Sequence, residues 1–307
     1  MPRRILITGA AGFVGRHLSR TLQGVFPNSE IVASRFDLID GAAVDAEISA
    51  IRPDACVHLA AVSAVGAARD DPDAAWRVNL HGTLGLAQAL LAHVPACVLL
   101  FASTADAYGG SFRSGAALDE AAALAPRNLY GATKAAADLA LGAMVGDGLR
   151  VLRLRPFNHT GPGQSGNFVV PAFARQVARI AAGVQAPVVQ TGALDPLRDF
   201  LDVRDVCAAY AACLARADDL PAGTILNIAS GTPRRIGDVL DDLLALAGVR
   251  ADIATDRARL RLSDIALAQG DPALAQRLLG WSPQIPWRTT LADVLADWTA
   301  QVAAGTG

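Results

Sequence analysis

The feature that most constrains the fold of this chain is a short apolar run that leads at once into regularly spaced glycines. Residues 5–7 are Ile-Leu-Ile, and Gly9, Gly12 and Gly15 follow before a helical pattern. Gly9 permits a tight turn, Gly12 lets backbone amides approach a phosphate, and Gly15 permits close packing of helix on strand. The spacing therefore predicts a strand, a glycine turn and a helix that bind a dinucleotide, with a plain turn as the alternative.

The second predicted strand, residues 30–34, ends where dinucleotide-binding units place the residue that contacts the adenosine ribose. An acidic residue there binds the ribose of NAD, whereas this chain has Ser34 followed by Arg35. A hydroxyl and a guanidinium suit a 2′-phosphate, so NADP is favoured over NAD, and a solvated arginine is the alternative. Asp37 and Leu38 offer a polar group and an apolar surface near the expected adenine.

Small residues follow the third predicted strand, where Leu59, Ala60 and Ala61 leave room for a cofactor. His58 precedes them and is a candidate catalytic base. A structural histidine beside a dinucleotide is the favoured interpretation, because the other histidines do not lie at a ligand-like spacing. We predict no metal site.

A fourth apolar strand, residues 96–102, ends just before Ser103 and Thr104. Thr104, Asp106 and Tyr108 therefore lie at the carboxyl end of a buried parallel strand, where α/β folds bind ligands and place catalytic residues. Residues 76–92, before this strand, predict one long helix that contains Asn79.

A tyrosine and the only lysine of the chain stand four residues apart in a predicted helix. Tyr130 and Lys134 share one face of that helix, so the ammonium lies beside a ring system that the phenol also reaches. The chain has one lysine among its 27 basic residues, so arginine serves everywhere else. Asn128 is a plausible helix cap. This pair predicts a proton donor, and an ordinary exposed pair is the alternative.

Composition excludes several classes of protein. Charged residues make up 18% and the net charge is -2, so we expect no nucleic-acid partner. No apolar run reaches about eighteen residues, so we expect no membrane span. The four cysteines have no Cys-x-x-Cys spacing, which indicates reduced, buried thiols in a cytoplasmic protein.

The order of the predicted elements indicates an α/β fold with a doubly wound parallel sheet of the Rossmann type and a smaller C-terminal α/β lobe. We assign residues 1–160 to the cofactor-binding domain and expect residues 196–222 to return to it. Residues 161–195 and 223–307 would form the second lobe. Within these parts, residues 198–205 are expected to return to a helix and residues 224–228 to form a strand.

Taken together, the motifs resemble the extended short-chain dehydrogenases/reductases that act on nucleotide sugars. They span nearly the whole chain in the family's order and comprise Thr8 to Gly15, His58 to Ala61, Ser103 to Gly109, Tyr130 to Lys134, Arg155 to Asn158, and Arg198 to Phe200. Residues 155–162, 168–171 and 192–200 look most like the branch that acts on GDP-mannose and its products.

The resemblance implies site residues. Cofactor contacts are expected from Gly9, Gly12, Phe13, Val14, Gly15, Ser34, Arg35, Asp37, Leu38, Leu59, Ala60, Ala61, Asn79, Tyr130, Lys134 and Pro156. Substrate contacts are expected from Asn158, Val170, Arg175, Arg179, Arg198, Arg261 and Asp264, with the arginines at positions 175 or 179 and 198 on the diphosphate. The catalytic set is Thr104, Tyr130, Lys134 and Asp106, and a lowered pKa of the Tyr130 phenol is expected. Relatives are usually homodimers.

The implied reaction is the NADPH-dependent reduction of the 4-keto group of a GDP-4-keto-6-deoxy sugar, which would yield a product of the GDP-D-rhamnose type. A GDP-mannose 4,6-dehydratase or another epimerase or dehydratase is the alternative, and NAD is the alternative cofactor. Dehydration needs a positioned acid and base. The resemblance implies two acidic residues after the threonine in dTDP-glucose dehydratases and a glutamate at the second position in GDP-mannose dehydratase, whereas this chain has Ala105 and the shorter Asp106 there, which favours the reductase. A non-catalytic NADP-binding sensor is a second alternative.

Overall fold

A computed structural model describes residues 1–34, 36–256 and 265–307. Within these residues the strands are β1 (Arg4–Thr8), β2 (Glu30–Ala33), β3 (Ala55–His58), β4 (Val98–Ala102), β5 (Val151–Pro156), β6 (Asn158–Thr160), β7 (Val188–Thr191), β8 (Leu197–Asp202), β9 (Ile225–Ile228), β10 (Pro233–Arg235), β11 (Asp252–Thr255) and β12 (Leu267–Ala268). The α-helices are α1 (Phe13–Val25), α2 (Gly41–Ile51), α3 (Val65–Asp70), α4 (Pro72–Trp76), α5 (Thr83–His93), α6 (Leu129–Ala143), α7 (Val169–Ala181), α8 (Val203–Ala215), α9 (Ile236–Ala247), α10 (Ala273–Leu279) and α11 (Trp287–Ala303).

Six parallel strands form the first sheet, in the order β2-β1-β3-β4-β5-β9. Both faces are covered, which explains why the three central residues of β1, Ile5 to Ile7, are all apolar. Ile5 and Ile7 pack with helices α1, α8 and α10, and Leu6 packs with α2, α5 and α6 on the other face. The predicted Rossmann-type parallel sheet is confirmed. The strand Ile225–Ile228 belongs to this sheet, although the sequence places residues 223–307 in the second lobe.

A smaller sheet and three helices lie beyond the carboxyl end of β5. Strand β8 pairs with β10, β12 and β6, and β7 pairs with β11. Helices α7, α9 and α11 enclose a separate apolar core that includes Phe200 of β8. Residues 198–205 were expected to be helical, and that is wrong for the first five. They form β8 because they pair with β10, β12 and β6. Helix α8 starts only after Asp202, whose side chain accepts a hydrogen bond from the Arg204 amide.

The helix expected over residues 76–92 contains a π-helical segment, Arg77–Gly82, between α4 and α5. Asn79 lies in this segment and is fully buried. Among the described residues, no helix is both long and apolar enough to cross a membrane.

Candidate active site

The glycine turn after β1 leaves no room for side chains. Gly9 has a φ of +71°, and a Cβ there would lie 2.8 Å from the amide nitrogen of Ala60. A Cβ on Gly15 would lie 2.4 Å from the carbonyl oxygen of Gly9. Helix α1 begins after Gly12 without a side-chain cap, so the amides of its first turn, from Phe13 onward, are available to an anion. The turn fits the pyrophosphate of a dinucleotide.

The segment expected to bind adenosine follows β2. Ser34 continues the strand pairing by donating its amide to the Ile7 carbonyl oxygen, and Arg35 lies outside the described residues. Asp37 is exposed and accepts the Ile39 amide at 3.1 Å. Leu38 is buried and packs on the α2 and α5 side of the sheet. The preference for NADP that rests on Arg35 stays a prediction.

His58 is buried inside a chain of hydroxyl groups. Its ring nitrogens lie 2.7 Å from the Thr8 hydroxyl and 2.9 Å from the Thr83 hydroxyl, and the Thr8 hydroxyl also accepts the Ala60 amide. Burial lowers the pKa of His58 to about 3, with a further contribution from Lys134. His58 is therefore a neutral structural residue that fixes the segment of Leu59, Ala60 and Ala61, as the favoured interpretation predicted.

The side-chain amide of Asn79 forms hydrogen bonds with other residues of the protein. Its Oδ1 accepts the Val62 amide at 2.8 Å, and its Nδ2 donates to the Val62 carbonyl oxygen and to the Thr133 hydroxyl. These bonds tie the loop after β3 to helix α6. The structure thus assigns Asn79 a positioning role, and the direct cofactor contact expected of it stays a prediction.

The expected catalytic residues meet where β4 ends and α6 begins. The Asn128 side chain caps α6 by accepting the Gly131 amide at 2.7 Å. A Cβ on Gly131 would lie 2.6 Å from the Asp106 carbonyl oxygen, so glycine lets α6 approach the turn after β4. This approach places the Tyr130 phenol near enough to Thr104 for the threonine side chain to lower the pKa of the phenol.

Burial controls the charges of this pair. It raises the pKa of Tyr130 well above its ordinary value, and the Asp106 carboxylate adds to the increase while the bond to Thr104 opposes it. Burial also lowers the pKa of Lys134 to about 7, against the influence of Asp138. The lowering of the phenol pKa that was expected from Lys134 and an oxidised nicotinamide stays a prediction, since desolvation dominates the pKa in the ligand-free site. The Lys134 ammonium lies 4.1 Å from the centroid of the Phe101 ring.

A buried charge network below Lys134 had not been recognised in the sequence. Asp138 lies one turn further along α6 and accepts hydrogen bonds from Arg155 at 3.0 and 3.1 Å and from Arg153 at 3.2 Å. Arg155 also donates to the Tyr108 hydroxyl, 3.0 Å away. The network fixes α6 against β5 and so fixes the positions of the catalytic side chains. Its one sequence signal was the four-residue spacing from Lys134 to Asp138.

The expected substrate residues fall into two groups. Asn158 is exposed at the start of β6, directly after Pro156 ends β5, and Val170 is buried in the core of the second lobe. Arg198 lies close enough to Asp106 for that carboxylate to raise its pKa, although burial lowers the pKa overall.

The other expected arginines contact α11 and the last residue. The Arg175 guanidinium lies 5.7 Å from the Trp298 ring centroid, and Arg179 donates to the Gly307 carbonyl oxygen at 2.7 Å. Both border a surface pocket of about 470 Å³. Their predicted contact with the diphosphate is not supported by these neighbours. Arg261 and Asp264 lie outside the described residues.

Two further observations concern ligands. The Ser103 hydroxyl is buried beside Thr104 and has no hydrogen-bond partner among the described residues, so it is available to a bound molecule. Among the same residues, no group of three or more His, Cys, Asp or Glu side chains could hold a metal ion.

Comparison with known proteins gives concordant matches. A model described as the NAD dependent epimerase/dehydratase family matches residues 5–229. A protein named GDP-6-deoxy-D-mannose reductase, from Pseudomonas aeruginosa, is 36% identical over 305 residues, which is 98% of this chain and 99% of that protein. A GDP-6-deoxy-D-talose 4-dehydrogenase from Aggregatibacter actinomycetemcomitans is 28% identical over 90% of this chain and 91% of its own. The solved structure of RMD from Pseudomonas aeruginosa complexed with NADPH superimposes with a TM-score of 0.90 at 34% identity, covering 97% of this chain and 99% of that one.

Proposed function

Because the chain belongs to the NAD dependent epimerase/dehydratase family of extended short-chain dehydrogenases/reductases, we propose that it reduces the 4-keto group of a GDP-4-keto-6-deoxy sugar with NADPH. The reaction would be of the type that converts GDP-6-deoxy-4-keto-mannose to GDP-D-rhamnose. The observation that carries the proposal is the close approach of α6, which holds Tyr130 and buried Lys134, to the turn with Thr104 and Asp106, in a chain that matches a reductase over nearly its full length.

The site is suited to giving a proton to the sugar. The glycine turn would hold NADPH, which would supply the hydride for the carbonyl carbon. Tyr130 donates its proton to the carbonyl oxygen as that oxygen becomes an alcohol, and the raised pKa of the phenol keeps this proton in place at neutral pH. Thr104 orients the phenol and the same oxygen. Lys134 stabilises the phenolate that remains until the phenol regains a proton.

Two neighbouring residues favour reduction over dehydration. Dehydration requires an acid and a base near C5 and C6 of the sugar, and Ala105 has no ionisable group. Asp106 has a short side chain, and its Oδ2 lies 3.4 Å from the Asn128 amide nitrogen. Its carboxylate helps to keep Tyr130 protonated, which serves a reductase.

The second lobe is the proposed nucleotide-sugar site. Asn158 on β6 and Arg198 on the neighbouring strand β8 would contact the phosphates, while Arg175 and Arg179 would act only if the substrate reached the α7 and α11 surface. We also propose a homodimer through the helices from Pro72 to His93 and α6, because Leu139 of α6 is 59% exposed. A cytoplasmic location stays a prediction.

Incubation of the purified protein with GDP-4-keto-6-deoxy-mannose and NADPH tests the reaction, and NADPH consumption with formation of a GDP-deoxysugar is the expected result. Turnover of GDP-mannose without added cofactor would instead identify a dehydratase. No NADPH consumption with any of a panel of keto sugars would refute the proposal.

Tyr130→Phe should lower kcat by at least about 100-fold, because the phenylalanine ring cannot donate a proton. The NADPH dissociation constant of the same variant is the control and should stay unchanged. An active wild type and an inactive Tyr130→Phe variant that still binds NADPH would distinguish an enzyme from a non-catalytic sensor. Unchanged turnover in the variant would contradict the role of Tyr130.

A further inference from the structure

Two arginines face each other across the antiparallel strands β8 and β10. Arg198 pairs directly with Arg234. Residues opposite one another in such strands lie on the same face of the sheet with Cβ atoms roughly 5 Å apart, and like charges there destabilise the pair. The arrangement is therefore unfavourable unless negative charge lies nearby.

Arg198 extends toward the catalytic end of the first sheet. Its guanidinium donates to the carbonyl oxygens of Leu197 at 2.8 Å and Ile265 at 3.2 Å, which leaves further N–H groups for a ligand. The influence of Asp106 on its pKa places the cation near the turn that carries Thr104. One end of the arginine pair therefore borders the catalytic residues.

Aromatic side chains hold Arg234. Its guanidinium carbon lies 4.9 Å from the centroid of the Trp287 ring, and Trp287 stacks on Phe200 at 5.5 Å with an interplanar angle of 28°. Phe200 is two residues from Arg198 on β8 and so shares its face. The stack orients the cation without neutralising it.

Neither guanidinium of the pair has a carboxylate within 4.0 Å among residues 1–34, 36–256 and 265–307. The Nε of Arg234 is buried and has no hydrogen-bond partner in the same set. The adjacent Arg235 differs, since it points to the opposite face and forms ion pairs with Asp195 at 3.1 Å and Asp238 at 3.2 Å. Of the two arginines of β10, only Arg235 thus forms ion pairs within the described protein, and burial lowers the pKa of Arg234 although the more distant Asp199 and Asp242 carboxylates act to raise it.

We propose that Arg234 joins Arg198 in binding the diphosphate of the nucleotide sugar, an inference that rests on the proposed function. A diphosphate carries charge on two adjacent phosphoryl groups, and a planar guanidinium matches the oxygens of each. Its binding would relieve the repulsion between the two cations and give the Arg234 Nε an acceptor. Arg234 is therefore a substrate-binding residue that should affect KM much more than kcat.

The test compares Arg234→Gln with Arg235→Gln, its neighbour on the opposite face, in the full chain. Calorimetric titration with GDP and with guanosine measures the contribution of the phosphates. We expect Arg234→Gln to weaken GDP binding about 10-fold, as for loss of a charge-assisted contact, and to leave guanosine and NADPH binding unchanged. Arg235→Gln should change GDP binding less than about twofold. Arg234→Lys, which keeps the charge, should lie between wild type and Arg234→Gln and decides the matter if the glutamine variant does not fold.

Unchanged GDP affinity in Arg234→Gln would overturn the inference, as would a wild-type chain that binds GDP no better than guanosine. An equal loss of GDP, guanosine and NADPH binding would indicate a folding defect of the glutamine variant, and Arg234→Lys then decides, because wild-type GDP affinity in that variant would overturn the inference. The binding assay does not depend on turnover. If Arg234→Gln weakened GDP binding but the wild type had no reductase activity, the proposed reaction alone would be refuted. If the wild type were an active reductase and Arg234→Gln had the same KM, the diphosphate contact alone would be refuted.

Discussion

Lys134 should destabilise the ligand-free protein at neutral pH, and replacing it with methionine should reveal by how much. Its side chain is 2% exposed, and burial lowers its pKa from 10.5 to about 7. The unfolded chain therefore binds more protons than the folded chain between these pH values, so stability rises with pH across that range. Methionine has a similar length, carries no charge and packs well on an aromatic ring such as Phe101.

The pKa difference sets the size of the effect. The full difference corresponds to a penalty of about 5 kcal/mol, which is present below pH 7 and vanishes above the unfolded-state pKa. About 4 kcal/mol of it remains at pH 7 and about 2 kcal/mol at pH 9. The stability advantage of Lys134→Met over wild type should therefore shrink by about 2 kcal/mol between pH 7 and pH 9.

Urea unfolding of both proteins at several pH values measures this advantage. Leu141→Met, a neutral change at a buried position of the same helix, is the control, and its difference from wild type should not vary with pH. If the difference between Lys134→Met and wild type were equally constant, the assignment of a desolvated, titrating Lys134 would be refuted.

Two other perturbations test the scaffold of the site. Gly15→Ala should abolish NADPH binding, measured by fluorescence titration, because its Cβ would lie 2.4 Å from a backbone oxygen, whereas Gly24→Ala meets nothing within 4 Å and should bind normally. Arg155→Met should lower the free energy of unfolding by about 3–5 kcal/mol, since it leaves Asp138 buried with one cation fewer. Arg150→Met removes an exposed ion pair and should lower the free energy of unfolding by less than about 1 kcal/mol. Thermal unfolding measures both variants, and an equal loss of stability in the two would contradict the assigned role of burial.

Local patterns predicted the first sheet and the glycine turn well, and they placed Tyr130 and Lys134 on one helix, whose catalytic role stays a prediction. The glycine turn, the apolar strands and the Tyr130 to Lys134 spacing each depend on neighbours within one or two turns, so the sequence shows them directly. His58 was also interpreted correctly, because a single histidine without ligand-like neighbours is more often structural.

Features that depend on distant partners were missed or misplaced. Residues 198–202 form a strand because β10 and β6 flank them, and no local pattern indicates those neighbours. Strand β9 joins the first sheet through pairing with β5, over seventy residues earlier in the chain. The contact of Asp138 with Arg155 and the pairing of Arg198 with Arg234 likewise depend on register between separate elements.

The direct passage from β8 into α8 at Asp202 has a consequence for engineering. Strand β8 belongs to the small sheet and α8 to the core of the large one, and the chain returns to the small sheet at β10 after passing through β9. The two lobes are therefore interleaved along the gene and cannot be exchanged between relatives with one crossover. A chimera with a new specificity would need several matched junctions, one of them at the bond between Asp202 and Val203.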